Sequence, residues 1–265
     1  MTAGPDALAS LAAVGLDAVT AAGAQARYDR KYLVDVAGVD IAIAALHPRF
    51  GALQIGTARA FDYVTVYFDT PDLATFRMHR QGRRRRFKIR TRHYGNPDTV
   101  TLEVKCKSAR GQTVKYRRAH TGSSAFALDD AGRQFVHTSL ERHYGAAAYD
   151  FGLSTLDWTV ETTFTRSTLV AETLGERVTI DRHLAVRGPA SAFTFDPARA
   201  IVETKSPRWY AVSGRALRDA GAREGRLSKY CLGIAVLHPH VAANPWRRSV
   251  HEMAGGGRSL TATHA

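Results

Sequence analysis

Residues 84–92 read Arg84-Arg85-Arg86-Phe87-Lys88-Ile89-Arg90-Thr91-Arg92. Side chains on a β-strand alternate between its two faces. A strand here therefore carries Arg84, Arg86, Lys88, Arg90 and Arg92 on one face and Arg85, Phe87, Ile89 and Thr91 on the other. At about 3.3 Å per residue the charged row extends for about 26 Å. Like charges in such a row repel, and like charges facing each other across strands destabilise a sheet. The segments that follow add to the load. Residues 99–107 set Glu103, Lys105 and Lys107 on one face and Leu102, Val104 and Cys106 on the other, and residues 112–118 add Lys115 and Arg117. The apolar faces can pack under helices. The charged faces must then line something wet or anionic, which a sheet curled with its polar face inward provides.

Later segments repeat the pattern. Arg177, Thr179 and Asp181 share a face, as do Glu203 and Lys205. A bare arginine run reads equally well as a solvated stretch or a nucleic-acid patch. The strict alternation and its recurrence argue against that reading. So do Glu103 and Glu203, because a nucleic-acid groove gains nothing from carboxylates. A metal–phosphate site does gain: a carboxylate holds Mg²⁺ or Mn²⁺ while Arg and Lys hold phosphate oxygens.

Around this stretch the chain reads as mixed α and β. Strands are expected at 28–36, 61–68, 84–94, 99–107, 112–118, 156–170, 175–187 and 200–205. Gly95-Asn96-Pro97-Asp98 and Ala109-Arg110-Gly111 act as turns between three of them. Helices are expected at 39–46, after the Asp69-Thr70-Pro71 start signal, at 129–144, at 209–220 with Gly221 as C-cap, and at 226–237. Residues 1–24, Ala-rich with Leu8, Leu11, Leu16 and Val19, read as a short helix or frayed extension. Residues 25–240 read as one domain, and 241–265, with Gly255–Gly257, as a flexible tail with little to bury.

Composition sets the outer bounds. The 265 residues are 45% hydrophobic, enough for one core, and 37 Lys and Arg against 24 Asp and Glu leave a net charge of +13. Such a field recruits anions: nucleic acid, an acidic membrane surface or phosphorylated molecules. Cys106 and Cys231 have no metal spacing and form no disulfide framework, which points to a reducing cytoplasm. No apolar run reaches the roughly 20 residues needed to span a bilayer. No Ser/His/Asp or Cys/His arrangement stands out. His79 reads as structural, and Gly255–Gly257 is not a phosphate loop, since no GK[ST] follows.

Ordered blocks carry a family resemblance. They are Arg27-Tyr28-Asp29-Arg30-Lys31-Tyr32, Tyr67-Phe68-Asp69-Thr70, His79, Ile89-Arg90-Thr91-Arg92, Glu103-Val104-Lys105, and Lys115-Tyr116-Arg117-Arg118. Phe164-Thr165-Arg166, Arg177-Val178-Thr179-Ile180-Asp181, Glu203-Thr204-Lys205 and Leu227-Ser228-Lys229-Tyr230 complete the series. Over roughly 25–238 their order and spacing resemble the VTC domain, the polyphosphate-polymerase branch of the triphosphate tunnel (CYTH-like) metalloenzymes. The resemblance implies an α+β fold: an antiparallel eight-stranded β-tunnel with helices packed outside. It implies transfer of the γ-phosphoryl group of ATP to a growing polyphosphate chain, with Mn²⁺ or Mg²⁺.

Carried over by position, Lys31, Arg90, Arg92, Lys105, Arg166 and Arg177 are expected phosphate ligands at the catalytic centre. Lys115, Arg226, Lys229, Glu103 and Lys205 are expected around the substrate, and Glu203 on the metal. The hydrolase branch opens with Glu-x-Glu-x-Lys. Here the same spacing is Arg27-x-Asp29-x-Lys31, which favours the polymerase branch. A triphosphate or polyphosphate hydrolase and a non-catalytic polyphosphate-binding module are the alternatives. Fungal relatives add a regulatory domain and membrane segments. Neither is read here, so a membrane-protein partner at the inner face of the membrane is an expectation, whereas nucleic acid is not.

Overall fold

Alternating apolar and charged residues lay down the strands, and Gly, Pro, Asp and Ser punctuate them. The computed structural model describes residues 7–21, 28–94, 96–108, 112–120, 124–145, 152–255 and 263–264. In chain order the elements are β1 (Ala12–Val14), α1 (Leu16–Ala21), β2 (Tyr28–Asp35), α2 (Val36–Leu46), β3 (Gly51–Leu53), β4 (Phe61–Asp69) and α3 (Ala74–Arg80). Next come β5 (Arg86–Tyr94), β6 (Asn96–Lys107), β7 (Thr113–Ala119), α4 (Asp130–Tyr144), β8 (Asp157–Ala171), β9 (Glu176–Arg187), β10 (Ser191–Thr194) and β11 (Arg199–Ser206). The chain ends with α5 (Val212–Asp219), β12 (Arg223–Glu224), α6 (Lys229–Leu237), α7 (Arg247–Met253) and β13 (Thr263–His264).

Eight strands form the main wall in the order β2-β11-β9-β8-β4-β5-β6-β7, each antiparallel to its neighbours. The short β12 pairs with β2 at one end. No ladder joins β7 back to β2 among the described residues. The wall is nevertheless curled, because side chains from all eight strands line one cavity. The fold is therefore the expected α+β one, an antiparallel eight-stranded wall curled around a barrel-like tunnel, with no ladder between β7 and β2 among the described residues.

The outer face of the wall is apolar and lies under helices. Tyr32, Val34, Val178, Ile180, Ala200 and Val202 pack with Val39, Ala42 and Ile43 of α2 and Ala216 and Leu217 of α5. Val66, Phe87, Ile89, Leu102, Val104 and Cys106 pack with Val136 and Leu140 of α4. Asp35 and Asp129 cap α2 and α4 by accepting from the backbone N–H three residues on, the bond expected of an N-cap carboxylate. Gly221 follows α5 at φ 79°, the left-handed geometry of a helix C-terminus.

A third core lies against the inner side of the wall. Leu33, Val160, Phe164, Leu184, Val186 and Ile201 cluster with α6 residues Tyr230, Leu232, Ile234 and Val236. Helix α6 is apolar nearly all round, the mark of a helix buried on every side. It plugs the apolar end of the wall and aims its N-terminus at the charged end. Asp69 ties it down: the carboxylate accepts from Thr70 N, Thr75 N, Thr75 Oγ1 and Phe76 N, and from the Tyr230 hydroxyl. Gly233 lets α6 approach β8, since a Cβ there would lie 2.7 Å from Val160 Cγ1. Gly233→Val should therefore overpack the plug and lower stability by about 1–3 kcal/mol, read as a fall in melting temperature. An unchanged melting temperature would contradict this packing.

Several expectations change in detail. The basic strand begins at Arg86, so Arg83, Arg84 and Arg85 are exposed and Arg84 does not belong to the inner row. The first helix after Asp69 starts at Ala74, and the last expected helix starts at Lys229 rather than 226, with Ser228 as its N-cap. Asn96–Asp98 belong to β6, whereas Gly95 and Ala109-Arg110-Gly111 lie outside the described residues, as does Arg27. In the expected N-terminal extension, β1 runs parallel to β3 and Arg59 donates to the Leu8 and Leu11 carbonyls. The expected tail is not without burial: Trp246, Val250 and Met253 enter the core around α6. Gly256 and Gly257 lie outside the described residues.

Candidate active site

The register of β5, β6 and β7 sets charges opposite one another in rows. Arg90, Glu103 and Arg117 stand in line, and so do Lys88, Lys105 and Lys115. The first row is balanced. Glu103 is fully buried and accepts from Arg90 Nε and Arg117 Nε, each at 2.7 Å. Burial pushes its carboxyl pKa up, but Arg90, Arg92 and Arg117 outweigh burial and hold it at about 2. The second row has no carboxylate within it. Three lysines face one another across two ladders, and like charges placed directly opposite destabilise a sheet. Burial, then Lys31, pull Lys105 well below the ordinary lysine range.

On the opposite wall the pattern recurs. Arg166 donates from Nε to Asp181 Oδ1 at 2.6 Å and from Nη2 to Oδ2 at 2.8 Å, a bidentate pair. Lys229, the first residue of α6, also binds Asp181 Oδ2. Despite burial, Lys229 and Arg166 hold the Asp181 carboxyl at about 2. Lys205 pairs with Glu203 and with Asp29 at 3.4 Å. Burial raises the Glu203 pKa, but Lys31, Lys205 and Lys105 bring it well below the usual carboxylate range. Lys31 donates to the Leu227 carbonyl at 2.9 Å, which fixes the loop before α6.

These side chains line a cavity of about 250 Å³. Of the residues expected at the site, Lys31, Arg90, Arg92, Lys105, Lys115, Arg166, Arg177, Lys205, Lys229 and Glu203 all reach it. Glu103 does not; it stands behind Arg90 and Arg117 and orients them. Arg226 lines a second chamber of about 320 Å³, together with Arg86, Lys107 and His79. The two chambers share Lys31, Lys88, Lys105 and Ser228 as a common wall. Val19 of α1 also reaches the first chamber, and its carbonyl accepts from Arg177 at 3.3 Å.

Family position left out Lys88 and gave no site role to Tyr67 and Ser228, although both stand in matched blocks. Lys88 was visible in the strand alternation. Tyr67 lies opposite Arg90, whose Nη1 donates to its hydroxyl at 3.5 Å. Burial raises the Tyr67 pKa, but Arg90, Arg92 and Lys88 together bring it below the ordinary tyrosine value. His79 is structural, as expected. Its Nε2 meets the Phe87 carbonyl at 3.1 Å, and burial with nearby Lys88 lowers its pKa to about 2, so the ring is neutral. Cys106 and Cys231 are buried, and burial raises both thiols, Cys106 to about 12.

Among the described residues no three His, Cys, Asp or Glu side chains gather where they could hold a metal ion. Mg²⁺ does not need such a cage, because it takes one or two carboxylates and completes its shell with phosphate oxygens and water. Glu203 fits that role. Lys205 engages Oε1, while Oε2 has no hydrogen-bond partner among the described residues, and the side chain lines the cavity.

No curated protein matches the chain. Among solved structures, the putative adenylyl cyclase HpAC1 from Hippeastrum, described as having a dominant triphosphatase activity, is 13% identical with a TM-score of 0.51. The match covers 79% of this chain and 96% of that one. A putative adenylate cyclase from Bacillus halodurans is also 13% identical, with a TM-score of 0.49, covering 77% and 94%. At this identity the likeness concerns the fold. Among the described residues no helix is long and apolar enough to cross a membrane. The VTC domain profile matches residues 26–238, the span that contains every wall strand and α6, and the chain belongs to the VTC domain family.

Proposed function

We propose that this protein is a metal-dependent polyphosphate polymerase that transfers the γ-phosphoryl group of ATP to the end of a polyphosphate chain. One observation carries the reading: two cation-lined chambers share a wall of Lys31, Lys88, Lys105 and Ser228. Hydrolysis of a triphosphate needs one anion site and water. Polymer synthesis needs a donor site and an acceptor site that meet. Eleven Lys and Arg side chains line the first chamber against Glu203, and Arg86, Lys107 and Arg226 continue the positive lining into the second.

The residue types suit the reaction. Phosphoryl transfer depends on in-line positioning and charge stabilisation more than on covalent catalysis. The terminal oxygen of polyphosphate forms a bond to the γ-phosphorus as the bridging β–γ P–O bond breaks, and the electron pair leaves on ADP. The attacking oxygen is already ionised, so no general base is required. Arg90, held by Glu103, and Arg166, held by Asp181, present oriented guanidinium groups to phosphate oxygens. Lys105 and Lys115, whose charged forms burial disfavours, supply N–H donors from the lysine row, and a phosphate beside them favours their protonated state. A divalent ion on Glu203 would neutralise charge on the phosphates and help align them.

The test is direct. Incubated with ATP and Mn²⁺ or Mg²⁺, the purified protein should yield long polyphosphate on a gel, with ADP formed in step. Stoichiometric release of free phosphate without polymer would replace this reading with the hydrolase one. Polyphosphate binding without any turnover would replace it with a binding module.

A further inference from the structure

We infer that α1 is a gate on the first chamber, which engages Arg177 until a phosphate chain displaces it. The inference rests on the phosphate reading of that chamber. The gate itself lies outside the family match, because residues 7–21 precede the matched span of 26–238. Val19 of α1 lines the chamber, and its carbonyl accepts from Arg177 Nη1 at 3.3 Å. That carbonyl is one of the last four of the helix, which have no intrahelical partner. The guanidinium supplies one. The contact thus sets an acceptor among groups suited to hold acceptors. A carbonyl oxygen has no proton to donate, so it offers a phosphate nothing and competes with it for the same guanidinium.

The segment before α1 is anchored, and α1 is not. Leu8 and Leu11 are buried in the core that includes α2. β1 pairs with β3, the Val14 carbonyl accepts from Gln54 N at 3.0 Å, and the Leu11 carbonyl accepts from Arg59 at 2.8 Å. Past Gly15 the anchoring stops. No residue of α1 is buried, Leu16 is 57% exposed, and only Ala18 and Val19 are half-buried. A Cβ on Gly15 would meet nothing within 4 Å, so the backbone there has room to turn. A segment with few buried apolar contacts opens at low cost, and a hinge of a few residues at the end of a fixed element is how such segments swing. Arg177 is then the latch, and its release is the cost a phosphate chain meets on entry.

Binding of inorganic tripolyphosphate in chelator tests the gate without requiring turnover. Replacing the six residues Leu16–Ala21 with a Gly-Ser linker of equal length keeps β1 and its anchors. This variant should bind tripolyphosphate about tenfold more tightly than wild type, the worth of one hydrogen bond to a charged group that no longer has to be given up. Its ligand-free melting temperature should be unchanged. In an Arg177→Ala background the same replacement should move the affinity by less than about twofold, because the two changes act through one contact. Three results would each overturn the gate: an affinity within about twofold of wild type or weaker, an equal gain in the absence of Arg177, or a ligand-free melting temperature lowered by more than about 5 °C, which would make α1 part of the core. If neither wild type nor the variant binds tripolyphosphate, the phosphate reading of the chamber fails and the gate falls with it, whereas unchanged binding in the variant overturns the gate alone.

Discussion

Glu203→Gln should lower metal-dependent turnover by roughly 10²–10⁴-fold, the several kcal/mol of charge stabilisation that a metal ion provides in such a step. Polyphosphate affinity in the absence of metal should stay the same or rise. The asymmetry follows from the surroundings. Glu203 faces Lys31 across the β2–β11 ladder and pairs with Lys205, and Lys105 is near enough to help hold it ionised. Neutralising it removes the one carboxylate that lines the first chamber among the described residues and leaves the cations free for phosphate. A purely structural role predicts a different outcome, with stability and binding falling together. Measuring turnover across a Mn²⁺ titration, alongside polyphosphate binding in chelator, separates the two. Turnover within about threefold of wild type at every metal concentration would remove Glu203 from the metal site.

Much of this site could be read from strand alternation, because the period of two is local and survives without knowledge of partners. Arg90, Arg92, Lys105, Arg177 and Glu203 follow from it once the strands are placed. The role of Glu103 does not. Alternation puts it on the inner face with the others, and only the register, which sets it between Arg90 and Arg117, turns a candidate ligand into a clamp. Lys88 shows the opposite case. It stood in the charged row from the start, and leaning on family positions removed it from view.

The helices show how far local signals reach. Lys229–Leu237 is apolar all round, a pattern that announces burial but not the surface it meets. That surface is inside the tunnel, where apolar residues of β8, β9 and β11 gather at one end. In α7 and the turn before it, Trp246, Val250 and Met253 recur at helical spacing, and that signal was outweighed by the glycines after it. Asp69 was read as a helix start five residues before Ala74. Its carboxylate does receive the first-turn N–H groups, but from a distance that only tertiary structure allows.

Replacing Asp181 with Ala should destabilise the ligand-free protein by about 3–5 kcal/mol, the usual cost of removing one partner of a buried ion pair. Asp181 is 3% exposed and holds both Arg166 and Lys229, so its loss leaves two buried cations without a counter-charge. The same physics predicts that polyphosphate or ATP restores much of the lost stability. A phosphate oxygen can take the place of the carboxylate, and ligand binding to the folded state alone stabilises it by mass action. The variant should therefore show a larger ligand-induced rise in melting temperature than wild type. Acid should reproduce the effect in the native chain. The Asp181 and Glu103 carboxyls are both held at about 2 in the folded state, against ordinary values of 3.8 and 4.5. A carboxyl with a depressed pKa contributes stability that is complete above its unfolded value and is lost as pH falls through its folded one. Stability should thus decline between about pH 4.5 and pH 2, and polyphosphate should delay the decline. An Asp181→Ala variant as stable as wild type without ligand, or one that polyphosphate stabilises no more than wild type, would show that Arg166 and Lys229 do not depend on this carboxylate. They would then need another reason to stand side by side in the wall of the tunnel.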